Sequence, residues 1–362
     1  MIYYLPAFLL YLLSAVFYFG DKKYRSWLGI IWSFFCIYVT FIIGYRFKVG
    51  SDWDSYLLLF NDREYNFADS GIAFFVIKSL IKSTSLGFQS YVLLMFIISF
   101  VVKVIAFKRI TDKFFVCLLL YFSFWYLTYE ANGIKQGAAL GFTLLGVYYT
   151  IKRNLKAYIL CIFLAFCFHN SAIIFLPFYW LTKICIRKVW VYSLIGIAIV
   201  FSYLGIGEVI IQLFTDSFVD SYFAQKTISY AVDEAYNNNV LLSFTSIHKI
   251  AILVIVLEIS VRYGNNDELK NIFVWAACLS CLVYFLLSQF EVIATRLSLY
   301  YRIVEVVALS YIPFIQRKGW PRLLILTILF IYSLFQIWNV LQIEDGGLFP
   351  YQNYFMNETC LY

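Results

Sequence analysis

An all-α polytopic integral membrane protein is the fold class this sequence predicts, on three observations. The chain is 63% hydrophobic and 22% aromatic with 14% charged residues, and its mean hydropathy is +0.80. Several apolar runs approach the ~20 residues that a spanning helix needs. Runs such as ILVIVLEIS and LLILTILFIYSLF do not alternate, which excludes a membrane β-barrel and its period of two. Backbone groups in hydrocarbon must be satisfied within their own segment, so the spans are helices.

Taken in order, the apolar segments predict about twelve spans, near 2–19, 27–44, 89–107, 114–129, 137–151, 157–169, 171–182, 188–205, 241–261, 271–289, 297–315 and 322–340. The first apolar stretch has no basic residues before it, and DKKYR follows it. We therefore expect an outside N-terminus and no cleaved signal peptide. Short basic connections (DKKYR, KRITDK, KRNLK, KICIRK, QRKGWPR) lie on one side, which the excess of Lys and Arg in cytoplasmic loops makes the inside. Longer, acidic or mixed loops, about 46–88 and 206–240, lie on the other. The stretch GIAFFVIKSLIKSTSLG (71–87) would invert every later loop if it spanned. It reads instead as an amphipathic helix on the outer surface, with Lys78 and Lys82 toward headgroups. No clear repeat or low-complexity tract divides the chain, and one membrane domain over 1–362 is the simplest organisation.

The net charge of +7 follows from the basic inner loops, and we expect no nucleic-acid partner. The eight cysteines lie mostly within apolar segments, and the C-x-x-C of Cys278 and Cys281 has no second pair or nearby His. Packing, rather than metal or redox chemistry, is their expected role.

A charged residue at a bilayer centre costs about 2.5–3.5 kcal/mol on insertion scales, so polar islands in such a chain mark function by default. The first is RFKVGSDWDSY, Arg46 to Tyr56. Arg46 offers a planar fork for phosphate, and Asp52 is a carboxylate suited to take a proton from a hydroxyl. The plainer reading is an interfacial anchor of Arg and Trp53 beside a solvated Asp pair. Asp52-Trp53-Asp54 is also a D-x-D, which holds a divalent metal in nucleotide-sugar transferases. The outer face lacks nucleotide sugars, and neither a metal nor another cofactor is expected. The second island is FHNSA, Phe168 to Ala172. Residues two apart on a helix face apart, so a Ser171–His169 nucleophile pair is disfavoured against a His169 that binds phosphate or moves a proton; a His169 bonded to a helix end is the plainer reading. A helix break is expected at HNS, with Pro177 beyond it. The third set is SQFEVIATRLSLYYRIVEV. Arg302 and Glu305 are spaced for an intrahelical pair, which leaves Arg296 as the stronger anion-binding candidate. His248 and Lys249 rank lower.

With these residues in view, the chain resembles the EpsG-like branch of the Wzy O-antigen and exopolysaccharide polymerases. That family's R-x-x-x-G-x-D-x-x-x-Y pattern matches Arg46 to Tyr56, its F-H-x-S-A matches Phe168 to Ala172, and its late R-x-x-x-Y matches Arg296 to Tyr300. A late P-Y matches Pro350-Tyr351. The family's Arg-Gln before the next helix is Lys135-Gln136 here, which keeps the charge and loses the bidentate fork. The resemblance implies glycosyl transfer at the outer face of the bacterial inner membrane. A glycan carried on undecaprenyl pyrophosphate would pass to a lipid-linked repeat unit, with a chain-length regulator as an implied partner. Asp52 would be the base, with His169 nearly as apt, and Arg46, Lys135 and Arg296 would hold the pyrophosphate. Tyr56, Tyr300 and Arg302 complete the expected substrate-binding set. An O-antigen ligase and a flippase of the same lipid-linked sugars are the rival readings. Polar residues on one face and the absence of a visible repeat weigh against the flippase.

Overall fold

The computed structural model describes the chain outside residues 21–25, 63–70, 218–240, 242, 263–266, 317–318, 343–346 and 357–362. The described residues are helical and contain no β-strand, only an isolated bridge between Arg46 and Asn353. Among the described residues, four helices are long and apolar enough to cross a membrane: Ser26–Gly44, Phe88–Ile110, Glu268–Leu286 and Trp320–Leu341. Two bent pairs raise the number to six at most. The twelve spans expected above are not confirmed among the described residues. Several of the expected spans are shorter or broken helices: Leu5–Phe19, Leu155–Phe168 and Asn170–Leu181 are too short, and 114–132 bends by 56°. Hydropathy sums apolar residues over a window and is blind to such breaks.

Membrane embedding is legible in the exposed faces. On the helix Ser26–Val39, Trp27, Ile30, Phe34 and Ile37 are all more than half exposed while Phe35 and Val39 are fully buried. The helix Trp320–Leu341 exposes Leu324, Ile328, Ile331, Phe335 and Trp338 at the same three- and four-residue spacing. Apolar stripes of this length face hydrocarbon or a partner, not water.

The chain packs as two compact units. The first comprises Met1–Leu145, Cys167–His169 and Leu309–Tyr362. It contains α1 (Leu5–Phe19), α2 (Ser26–Val39, ending in a π turn Thr40–Gly44), α3 (Trp53–Asn61) and α4 (Ile72–Ser83). Next come α5 (Phe88–Ile110), α6 (Phe114–Tyr121), the single turn α7 (Phe124–Tyr126) and a π turn Leu127–Asn132. The first turns of α8 (Ile134–Ile151) follow, and the last long helix, Trp320–Leu341, completes the unit. α1 packs on α2, α6 and the last helix; Pro6 in its first turn removes an N–H that no helix end uses. α4 is the amphipathic helix expected at 71–87, but Lys78 is a correction. Its ammonium is buried and donates to the carbonyls of Leu59 and Asp62, at 2.7 and 2.5 Å, instead of reaching headgroups. Those carbonyls end α3, where helix geometry leaves acceptors unpaired.

The second unit comprises Gly146–Phe166 and Asn170–Ala308. It holds the end of α8, α9 (Leu155–Phe168) up to Phe166, a 3₁₀ turn Asn170–Phe175, α10 (Phe178–Leu181), α11 (Lys188–Tyr203), α12 (Ile206–Ser217), α13 (Phe244–Arg262), α14 (Asp267–Leu286) and most of α15 (Glu291–Leu309). The long helix Trp320–Leu341 of the first unit is α16. α14 is the centre of this unit, packed by α11 and α13 and tied by Trp275 Nε1–H to the carbonyl of Ile184 at 2.8 Å. The helix break expected at HNS is present, since α9 ends at Phe168 and a 3₁₀ turn begins at Asn170. The expected loop 206–240 opens with a helix instead, α12, whose Val209, Ile210 and Leu213 share one exposed face; the rest of that loop lies outside the described residues.

In unit 1 the two ends of the chain meet around the first polar island. Gly50 N–H donates to Gly347 O at 2.7 Å, Phe47 N–H to Gln352 O at 3.0 Å, and Tyr354 N–H to Tyr45 O at 2.8 Å. Tyr3 donates from its hydroxyl to Leu348 O at 2.7 Å, and its ring lies edge-on to Phe349 and Tyr351. Asn353, 1% exposed, donates to the carbonyl of Phe41 at 2.9 Å and accepts from Phe355 N–H at 3.1 Å. Asn353 also donates to the Tyr351 hydroxyl at 3.0 Å, and Asn353→Ala removes all three bonds, at a cost of about 1–3 kcal/mol. We expect a lower thermal unfolding temperature for the detergent-purified variant; an unchanged one would show that the C-terminal segment does not hold the loop.

Candidate functional site

The first polar island is built from the backbone outward. α2 ends in a π turn, and the chain then turns at Lys48 and Gly50, whose φ angles are 51° and 103°. A side chain at Gly50 would place its Cβ 2.4 Å from Ala131 O and 2.5 Å from Asn132 Oδ1. Only glycine admits both the backbone angle and this approach. Ser51 N–H then donates to Asn132 Oδ1 at 2.9 Å, so the island is seated on the π turn Leu127–Asn132.

Arg46 is 1% exposed. Its Nε–H donates to Val49 O at 3.2 Å and its Nη1–H to Ile43 O at 2.9 Å, and its guanidinium lies 5.6 Å from the Trp53 ring centroid. Much of its fork is thus spent on its own loop, a placement that sequence reasoning did not foresee. Burial pushes the guanidinium down to about 10, against the charges of Tyr56, Glu130, Tyr3 and Tyr351. It stays cationic near neutral pH.

Asp52 occupies the position before α3 but makes no capping bond with its side chain; it is half-buried, and Asp54 is exposed. Tyr56, one turn on, is buried and shares the helix face of Asp52. The ammonium of Lys135 lies 5.6 Å from the Tyr56 ring centroid and 5.2 Å from that of Phe74. Two ring faces therefore position the lysine that stands where an arginine was expected. Unit 1 thus brings Arg46, Asp52, Tyr56 and Lys135 onto one local framework.

Sequence reasoning missed what supports this framework. Lys103 and Glu130, each about 1% exposed, form an ion pair of 2.7 Å. Lys103 Nζ also donates to Ser99 Oγ at 2.5 Å and Gly137 O at 2.6 Å. Glu130 Oε1 further accepts from Tyr121 at 2.6 Å and Ser99 at 3.1 Å. The signal was present: a lysine within an apolar run is a residue to explain. Its partner lies 27 residues away, beyond any local spacing rule. Glu130→Gln leaves the lysine buried without its counter-charge, and breaking a buried pair costs about 3–5 kcal/mol. Replacing both partners, as Lys103→Met with Glu130→Leu, should cost less than that single change. A double variant that unfolds at a lower temperature than Glu130→Gln would contradict this account.

His169 is half-buried in the segment Cys167–His169 of unit 1. Phe168 stacks on Phe142 of α8 with ring centroids 5.5 Å apart. Gly71, at the start of α4 with φ 94°, abuts the carbonyls of Cys167 and Phe168.

Unit 2 carries the remaining candidates. Ser171 Oγ and Tyr300 Oη are hydrogen-bonded at 2.9 Å, both buried, so two separate motifs meet in a packing contact. Arg296 is half-buried on α15, one turn before Tyr300. Arg302 and Glu305 form the expected i, i+3 pair at 3.6 Å. Lys249, ranked low from sequence, is 1% exposed. Its Nζ donates to Ser298 Oγ at 3.2 Å and lies 4.4 Å from the Tyr284 ring centroid. Cys278 and Cys281 are buried, and Cys281 donates weakly to Lys249 O at 3.7 Å.

No curated protein and no solved structure matches the chain. A family model does, over residues 29–353, nearly the whole length and every motif named above. The chain belongs to the EpsG family, a family of Wzy-like polymerases.

Proposed function

We propose that this protein is a polysaccharide repeat-unit polymerase, a glycosyltransferase that extends a glycan carried on undecaprenyl pyrophosphate at the outer face of the inner membrane. The observation that carries the reading is local to unit 1. A half-buried Asp52 carboxylate with no capping role lies one helical turn from Tyr56, whose ring bears the Lys135 ammonium. Membership of the EpsG family supports the same chemistry.

An acceptor hydroxyl of one lipid-linked repeat unit attacks the anomeric carbon of the donor glycan. The new C–O bond forms as the bond from that carbon to the pyrophosphate oxygen breaks. Asp52 takes the hydroxyl proton, and the polyprenyl pyrophosphate leaves with the electron pair. Positive charge fixed where negative charge develops lowers such a barrier, because it needs no reorganisation as the reaction proceeds. Lys135 supplies that charge in this assignment. Arg46 holds the loop through its Nε and Nη1 donors, which are given to backbone carbonyls, and contributes its field. Arg296 is the anion contact we assign in unit 2. Tyr300 and Arg302 there support α15 through Ser171 and Glu305. His169 is the alternative base. A chain-length regulator is the expected partner.

Deleting the gene and sizing the glycans on the lipid carrier and at the surface tests the reaction. Single repeat units outside the membrane, with no ladder of longer chains, are the expected result. Long chains stranded on the carrier would assign a ligase, and repeat units trapped inside a flippase.

Complementation of the deletion tests the residues. Asp52→Asn and Lys135→Gln should each lower polymer formation on the order of 100-fold, the usual loss when a positioned catalytic group is removed. Protein abundance in the membrane should be unchanged. Arg296→Lys should also lose most activity, because an ammonium does not reproduce the planar fork. Wild-type ladders from any of these variants would remove that residue from the assignment.

A further inference from the structure

Unit 1 contains a cavity of about 650 Å³ among the basic segment Lys108–Lys113, the ends of α1 and α16, and Trp32 of α2. None of the motif residues discussed above lines it. Three cations do: Lys108, Lys113 and Arg322. Among the described residues, the carboxylate in the lining is Asp112, whose side chain is 74% exposed and already pairs with Lys113. The described lining therefore carries an excess of positive charge.

The cations are held against aromatic rings. Lys108 Nζ lies 5.7 Å from the Trp32 ring centroid and 5.1 Å from that of Phe114. Lys113 and Arg322 lie 4.3 and 4.9 Å from the Phe314 ring centroid. A ring face attracts a cation without consuming its N–H donors as a carboxylate does. Arg322 gives its Nε–H and one Nη2–H to the carbonyl of Gln316, which fixes the plane of the guanidinium and leaves further donors on it.

Position narrows the ligand. Lys108 is in the last turn of α5 and Arg322 in the first turn of α16, and both helices are long and apolar enough to cross a membrane. Helix ends of this kind lie at headgroup level. Beside the cavity, α16 exposes Leu323 and Leu324, and α1 exposes Phe17. A free phosphate ion would use the cations alone. A phospholipid uses all of it: phosphate on the cations, glycerol against the rings, acyl chains along the apolar faces. Basic cavities between helices at headgroup depth are a recurrent way of holding anionic lipid, and the volume is within the range of small-ligand sites.

We infer that this cavity binds the phosphate headgroup of an anionic phospholipid, separately from the glycan chemistry proposed above.

The test uses the full-length protein in a neutral detergent, offered phosphatidylglycerol or phosphatidylcholine, with retained lipid counted by native mass spectrometry. Phosphatidylglycerol should be retained in preference to phosphatidylcholine. The double variant Lys113→Gln with Arg322→Gln should weaken that retention by about tenfold or more, since each cation near the surface attracts anionic lipid independently. Lys108→Gln, at an exposed helix-end position, should weaken it by several-fold on the same grounds; it keeps the test intact if the double variant does not fold. Equal retention of the two lipids, or unchanged retention in folded variants, overturns the inference. Full displacement of phosphatidylglycerol by millimolar inorganic phosphate overturns it as well, because it assigns the cavity to a soluble anion.

Discussion

The pair formed by Lys103 and Glu130 is the interaction on which the first polar island depends. Two opposite charges taken out of water are stable only when each is matched and the remaining donors and acceptors are used. Here Ser99, Tyr121 and the carbonyl of Gly137 do that. The result is a fixed π turn, Leu127–Asn132, between α7 and α8. Gly50 and Ser51 rest on that turn, and Lys135 begins the helix that follows it. One buried ion pair thus sets the position of both a loop and a cation.

The same economy of parts governs the loop. Arg46 would be an expensive residue to bury if it served only as an anion hook, because burial pushes its guanidinium down to about 10 even against the nearby charges of Tyr56, Glu130, Tyr3 and Tyr351. Bonds to Val49 and Ile43 and the face of Trp53 make that burial tolerable. The C-terminal segment closes the loop from the other side through Gly347, Gln352 and Asn353. Asp52 is then left half-buried at a helix start, with no capping bond from its side chain. A carboxylate positioned by its backbone and not spent on a helix cap is suited to chemistry.

In unit 2, the polar residues mostly meet each other. Ser171 with Tyr300, Arg302 with Glu305, and Lys249 with Ser298 each bury a polar group against a partner. Such pairing answers the cost of polar atoms in an apolar surrounding. It also shows that a short motif match marks a position, and that the work done there is decided by neighbours: Tyr300 lies within the R-x-x-x-Y pattern and is completely buried.

The sequence by itself determined the membrane class, the helical nature of the chain, the break at HNS, the Arg302–Glu305 pair and the order of the family motifs. Each of these rests on composition or on spacing within a few residues, which the chain carries locally. It did not determine the number of spans, because a bend of 56° or an early helix end leaves the hydropathy of a window unchanged. Nor did it find the helix that opens the 206–240 region, the burial of Lys78, or the partner of Lys103. Tertiary structure decided the last three. Which carbonyl a lysine reaches, and which distant carboxylate it meets, depends on packing between segments far apart in sequence, and no local pattern encodes it.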